Sequence, residues 1–212
     1  MVDRVYHPPK RRGERTPATV VSHREGAEFS LLRQRRYFPN GGSYLGAGPG
    51  IAIFVDGSCL SNGRHNSRDV RAGMGVYFGP NSIHNLSEPL LEGPQTSNRA
   101  ELQAAILALR KVQRLFCLGD LTPKQHIAII ADSAYVVNGM TDWVYGWRKN
   151  GWRAADGGPI RNEADFKKLD NLVRTLEGLG MTIRFWRVDR EHNQDADELA
   201  KEGAMKGDPS FG

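Results

Sequence analysis

Two apolar runs, Ile51-Ala52-Ile53-Phe54-Val55 and Ile127-Ala128-Ile129-Ile130-Ala131, show no alternation of apolar and polar positions. A strand with one wet face alternates, so these read as strands covered on both faces. Each stops at an aspartate followed by a small residue, Asp56-Gly57-Ser58 and Asp132-Ser133. That pattern predicts two carboxylates at strand ends, where open α/β sheets present functional groups. Residues 72–78 and about 82–87 are further strands, and their short loops make an antiparallel meander with 51–56. Leu102, Ala105, Ile106, Leu109, Val112 and Phe116 recur every three or four residues, so 98–116 is an amphipathic helix. A strand follows it at 126–131, which implies a parallel crossover. Helical patterns cover about 133–139, 141–149 and 163–177, then a strand at 181–188 and a last helix at 194–205. The order predicts an α/β domain with a five-stranded mixed sheet, three antiparallel strands followed by parallel crossovers, flanked by helices.

Charge adds an asymmetry. The formal net charge of +5 suggests an acidic partner, and residues 1–50 hold nine Lys/Arg against four Asp/Glu while residues 51–212 hold 20 of each sign. Residues 1–47 include Pro8-Pro9, the basic clusters Lys10-Arg11-Arg12 and Arg33-Gln34-Arg35-Arg36, and Gly41-Gly42, without a sustained apolar period. They read as a flexible basic extension, joined by the glycine-rich hinge 46–50 to a domain spanning 48–208. Its clusters suit phosphate contacts, a nuclear address or an organelle presequence, the last weakened by Asp3, Glu14 and Glu25. Two cysteines are too few for a disulfide framework and point to a reduced, intracellular setting, with nucleus and mitochondrion both open. No stretch is long and apolar enough to span a membrane, and no membrane partner is expected.

Neighbouring ionised aspartates repel, and protonating one or binding a cation relieves that repulsion; hard oxygen ligands of this kind suit Mg²⁺. Each carboxylate also has an ordinary explanation. Asp56 before Gly57 suits a turn. Asp132 could cap the helix after it. Glu101, three residues after Asn98, could complete a capping box. Asp197 lies beside Asp195 and Glu198 in a first helical turn, where the helix dipole favours acids.

Taken in order, the segments Asp56-Gly57-Ser58-Cys59, Thr96-Ser97-Asn98-Arg99-Ala100-Glu101-Leu102, Asp132-Ser133 and Ala196-Asp197-Glu198-Leu199-Ala200, with the tryptophan-rich stretch 143–152, resemble type 1 ribonuclease H over roughly residues 50–205. The resemblance implies a ribonuclease H-like fold and an endonuclease that hydrolyses the RNA strand of RNA/DNA hybrids; a monomer is expected, though the sequence leaves the oligomeric state open. It implies two Mg²⁺ ions, replaceable by Mn²⁺, held by Asp56, Glu101, Asp132 and Asp197, and products with 5′-phosphate and 3′-hydroxyl ends. By position, Asn62 and Asn98 resemble contacts to the RNA strand. Tyr135, Trp143 and Trp147 resemble the channel against which DNA sugars pack, and Thr96 with Asn162 resembles a DNA-phosphate pocket.

The chain departs from the family before the last helix. Many relatives carry a histidine there on a longer, glycine-containing loop, whereas the short segment 189–196 places Glu191 at that position. His192, one residue on, could move protons, and Arg190 could hold the scissile phosphate or leaving group. Two other readings remain: a hybrid-binding protein without activity, which would be expected to have lost a carboxylate, and another nuclease of the same fold, which would lack the 96–101 and 143–152 motifs.

Overall fold

The computed structural model describes residues 3–9, 15–24, 27–37, 43–60 and 70–207, with only the backbone path for 34–37 and 43–49. In chain order the elements are α1 (Pro17–Val20), β1 (Val21–Ser22), β2 (Ser30–Tyr37), β3 (Ser43–Leu60), β4 (Arg71–Tyr77), β5 (Leu86–Pro89), α2 (Ser97–Leu118) and β6 (His126–Ala131). They continue with α3 (Ala134–Asn138), a π-helical turn (Gly139–Trp143), α4 (Val144–Lys149), α5 (Glu163–Gly178), β7 (Thr182–Arg187), a 3₁₀ turn (Arg190–His192) and α6 (Gln194–Lys206).

The expected five strands are β3 to β7. β3, β4 and β5 pair antiparallel, and β6 joins the other edge of β3 in parallel and is followed by β7, also parallel. Their side chains are apolar on both faces because helices cover both. Ile51, Ile53, Val55, Ile127 and Ile129 pack with α2, α3 and α5, whereas Ala52, Phe54, Ala128 and Ile130 face Trp186, Val188 and Ala196. Burial on two sides is why these runs lack alternation.

The N-terminal segment departs from the expected flexible extension. β1 and β2 add two antiparallel strands, giving seven in the sheet, and β2 pairs with β3 through 43–47 and again at 51–52. The glycine-rich stretch 46–50 is therefore a strand interior and not a hinge. At Gly50, β2 comes close: a Cβ there would lie 2.8 Å from Leu32 Cδ1. Val5 forms a parallel bridge with Phe185, so the segment about Val5 lies along the edge of β7 away from β6. The strand expected at 82–87 is displaced to Leu86–Pro89, since 79–85 form a turn in which Asn85 accepts from Phe78 N at 2.7 Å.

Candidate active site

Register brings the first two carboxylates together. Phe54 lies opposite Ile130 in the β3–β6 ladder, so Asp56 and Asp132, each two residues further on, stand level on adjacent parallel strands. Asp132 follows the last residue of β6 as expected, but Asp56 is not at a strand end. β3 runs on to Leu60, because β4 pairs with it from Phe54 to Leu60. Asp56-Gly57 is thus strand and not turn, and Gly57 serves a close approach: a Cβ there would lie 2.1 Å from Glu101 N. Its absence lets the start of α2 rest on β3 and sets Glu101 beside Asp56. Gly75, the ladder partner of Asp56, does the same for α6, since a Cβ there would lie 2.1 Å from Ala196 O, one residue before Asp197.

The ordinary roles of these acids fall to other residues. Ser133, not Asp132, caps α3, its hydroxyl accepting from Val136 N at 3.3 Å. Glu101 does not reach back to Asn98; its carboxylate accepts from the Ser133 hydroxyl, and the residue at the cap of α2 is Thr96, whose side chain makes no capping bond. Asp132 Oδ1 accepts from Asn193 Nδ2 at 3.2 Å, and the same amide donates to Val55 O at 3.0 Å. Asn193 is buried, and it fastens the segment before α6 to both carboxylate strands.

The charges are unbalanced. Burial, then the carboxylates of Asp132, Asp197 and Glu101, push Asp56 up to about 7. Burial also raises Glu101, with Asp132 adding to it and the Ser133 hydrogen bond opposing. Burial works to raise Asp197 too, but Lys201 and Arg190 hold it below the usual carboxylate range, Arg190 Nη2 donating to Asp197 Oδ1 at 2.7 Å. Asp197 first, then Asp56 and Asp132, keep the Arg190 guanidinium charged. The four carboxylates interact through space, yet among the described residues no three His, Cys, Asp or Glu side chains converge as a preformed metal cage. Repulsion reaches further than coordination does, so both observations hold. An all-oxygen set with residual negative charge fits Mg²⁺, which keeps several waters and takes only one or two carboxylates with substrate oxygens.

The structure separates the two helpers before α6. Arg190 reaches the carboxylates. His192 Nε2 stands 3.6 Å from Glu191 Oε1, and its ring borders two grooves against the N-terminal segment, lined by Arg15, Thr16, Pro17, Trp186 and His23 among others and by none of the four carboxylates.

Beside the carboxylates lies an aromatic face. The helices expected at 133–139 and 141–149 run on as α3, the π turn and α4, which present Tyr135, Trp143 and Trp147 in sequence, with ring centroids 6.0 Å and 5.8 Å apart. Tyr135 and Trp147 both rest edge-on against buried Phe166 of α5. Trp152 packs on Trp147 at 6.0 Å and carries Lys167 over its ring. Tyr135, Trp143 and Trp147, with Pro159, Ile160 and Arg161, line a shallow groove of about 320 Å³. Thr96 and Asn162 occupy the cap positions of α2 and α5, whose N-terminal ends are tied by Arg99 Nε and Gln103 Nε2 donating to the two oxygens of Asp165, at 3.0 and 2.6 Å. Asn162 adopts φ 57° and donates to Tyr135 Oη at 3.2 Å. Asn98 is half-buried in the first turn of α2, and Asn62 lies outside the described residues.

The sequence model of the RNase H family matches residues 49–205, the region that carries all four carboxylates and the aromatic face. The chain belongs to the RNase H family. Among its relatives, Ribonuclease H1 of Mus musculus is 35% identical over 205 residues, 93% of this chain, and the match covers 64% of the mouse protein's length. Ribonuclease H of Afipia carboxidovorans is 34% identical over 73% of this chain and 93% of its own. The crystal structure of LC9-RNase H1, described as a type 1 RNase H with the type 2 active-site motif, superposes with a TM-score of 0.54, 29% identity and coverage of 77% of this chain and 76% of that one. These likenesses establish the RNase H fold and the type 1 assignment.

Within this RNase H fold, Asn193, Ser133 and Lys201 are the site residues that sequence reasoning missed. Lys201 was legible, four residues after Asp197 on one helix face. Asn193 has the look of a helix cap, and nothing in the sequence shows that its amide turns to β3 and β6 instead.

Proposed function

We propose that this chain is an endonuclease that hydrolyses the RNA strand of RNA/DNA hybrids, using two divalent ions and leaving 5′-phosphate and 3′-hydroxyl ends. The observation that carries the proposal is the level placement of Asp56 and Asp132, with Glu101 and Asp197 brought in by close helix packing. These four would hold Mg²⁺, with Mn²⁺ able to substitute. Bound there, the metals supply an activated water and charge stabilisation for the leaving oxygen. Arg190 balances Asp197 when the site lacks that charge, and its exposed guanidinium is free to turn to a phosphate. The aromatic face offers apolar surface to deoxyribose, and the first turns of α2 and α5, with Thr96 and Asn162 at their caps, aim amides and positive dipole ends at a phosphate of the same strand. Asn62 and Asn98 would meet the RNA strand, with amides suited to 2′-hydroxyls.

The test is cleavage of an end-labelled RNA/DNA hybrid with Mg²⁺ and with EDTA, alongside the same RNA as a single strand and as an RNA duplex. Metal-dependent cutting confined to the hybrid's RNA is expected. Indifference to the 2′-hydroxyl pattern, or cutting in EDTA, would refute the proposal.

A further inference from the structure

The N-terminal segment docked on β7 carries a buried charge. Arg4 is 2% exposed, and its guanidinium donates to Asp170 Oδ1 at 2.8 Å and to Glu177 through Nε at 3.3 Å and Nη2 at 3.1 Å. Its carbonyl accepts from Phe185 N at 2.7 Å and Tyr6 N donates to Phe185 O at 2.9 Å, so backbone pairing with β7 delivers the side chain to α5. Asp170 is also the partner of Arg148 on α4, which donates to Asp170 Oδ2 at 2.7 Å and to the same Oδ1 that Arg4 uses. Tyr145 of α4 lies between the two guanidiniums, 5.7 Å from Arg4 and 5.6 Å from Arg148.

α4 therefore grips α5 twice, on neighbouring positions of one α5 face. Trp147 packs on Phe166 at 4.9 Å, and Arg148, the next residue of α4, pairs with Asp170, one turn further along α5. Arg4 and Arg148 share one carboxylate in a desolvated place, so each fixes the other's geometry; without Arg4, Glu177 loses the guanidinium it holds and Asp170 is left to Arg148 alone. We propose that Arg4 is a positioning residue for the aromatic face: the docked N-terminus, outside the stretch that matches the family, sets the orientation of α4 and thereby the affinity for hybrid. This rests on the reading of Tyr135, Trp143 and Trp147 as a nucleic-acid surface.

The experiment compares the full chain with Arg4→Met and Arg4→Lys by fluorescence anisotropy on a labelled RNA/DNA hybrid in Ca²⁺, by steady-state cleavage in Mg²⁺, and by thermal melting, with binding measured well below the melting temperature. Glu177→Gln, which leaves the Asp170–Arg148 pair intact, serves as a second variant should Arg4→Met fail to fold. Arg4→Met is expected to raise Kd and KM by about 3- to 10-fold, with kcat at saturation kept within about twofold, because a shifted binding surface weakens ground state and transition state alike. Arg4→Lys should fall between, and Glu177→Gln should move Kd in the same direction by less. A lower melting temperature with Kd and KM unchanged would show a purely structural role and overturn the inference. Failure of the unaltered chain to bind hybrid would overturn the hybrid reading and this inference together, whereas binding by that chain with no change in any variant overturns this inference alone.

Discussion

Two clusters of charge lie against this sheet and its helices, and they are built on opposite plans. Around Asp170, Arg4 and Arg148 converge on one buried carboxylate, and Glu177 takes the rest of Arg4. Around Asp56, three other carboxylates crowd a buried acid, and Arg190 and Lys201 both stand on Asp197 at the rim. Burial is similar; the matching of charge is not. A matched cluster resists change because removing a member strands the others, whereas an unmatched one holds charge in reserve for a ligand.

The comparison breaks first on catalysis. Asp132→Asn keeps the shape and the hydrogen-bond partner of the side chain but removes its charge, so cleavage of hybrid should fall by at least about a thousandfold, the equivalent of several kcal/mol of transition-state stabilisation. Binding measured by anisotropy should stay within a few-fold. Full activity in this variant would remove Asp132 from the metal set.

Neutralising the matched cluster should instead damage the fold. Asp170→Asn leaves Arg148 facing a neutral amide and Arg4 with only Glu177 as counter-ion, and breaking a buried pair in this way costs about 3 to 5 kcal/mol. Urea denaturation should show that loss in the midpoint with little change in slope. A loss under about 1 kcal/mol would place this cluster with surface pairs and sink the contrast.

The short segment before α6 divides its two candidates by direction. Arg190 reaches the carboxylates and His192 turns to the N-terminal segment, so Arg190→Ala should lower kcat by roughly tenfold, about 1.4 kcal/mol, and His192→Ala should stay within about twofold. A kcat-against-pH profile for both variants decides it. If His192→Ala alone alters the profile, the histidine moves to the site in solution.

Much of the site was legible because it rests on local pattern. Unbroken apolar runs marked the paired strands, and the register between β3 and β6 follows from burying both runs at one level. The end of β3 was not legible, since what carries it past Asp56 is pairing with β4, a partner distant in sequence. The N-terminal segment misled for a related reason. Arg4 and the glycines of 46–50 are read locally as a charged arm and a hinge, and only the edges of β3 and β7 turn them into sheet. The fate of the polar side chains was hidden as well: Asn193 and Thr96 both occupy cap positions, and neither side chain caps.

The finest test is of sign. Asp56 is raised from 3.8 to about 7, by burial first and then by its neighbours, so the folded chain holds this proton over a range in which the unfolded chain has released it. The stability associated with that proton is fully present below about pH 4 and is lost as pH rises through about 7. Without divalent metal, the unaltered chain should therefore weaken between those values, and Asp56→Asn should remove that part of the slope. At neutral pH the variant should be the more stable by about 1 to 2 kcal/mol, the range typical when a functional site is relieved of repulsion. Thermal melts in EDTA at pH 4.5 and pH 7.5 would read this as a gap that opens with pH. A melting point for Asp56→Asn that is lower at pH 7.5 would mean that the acid is compensated in the folded chain, as Asp170 is, and would erase the difference between the two clusters.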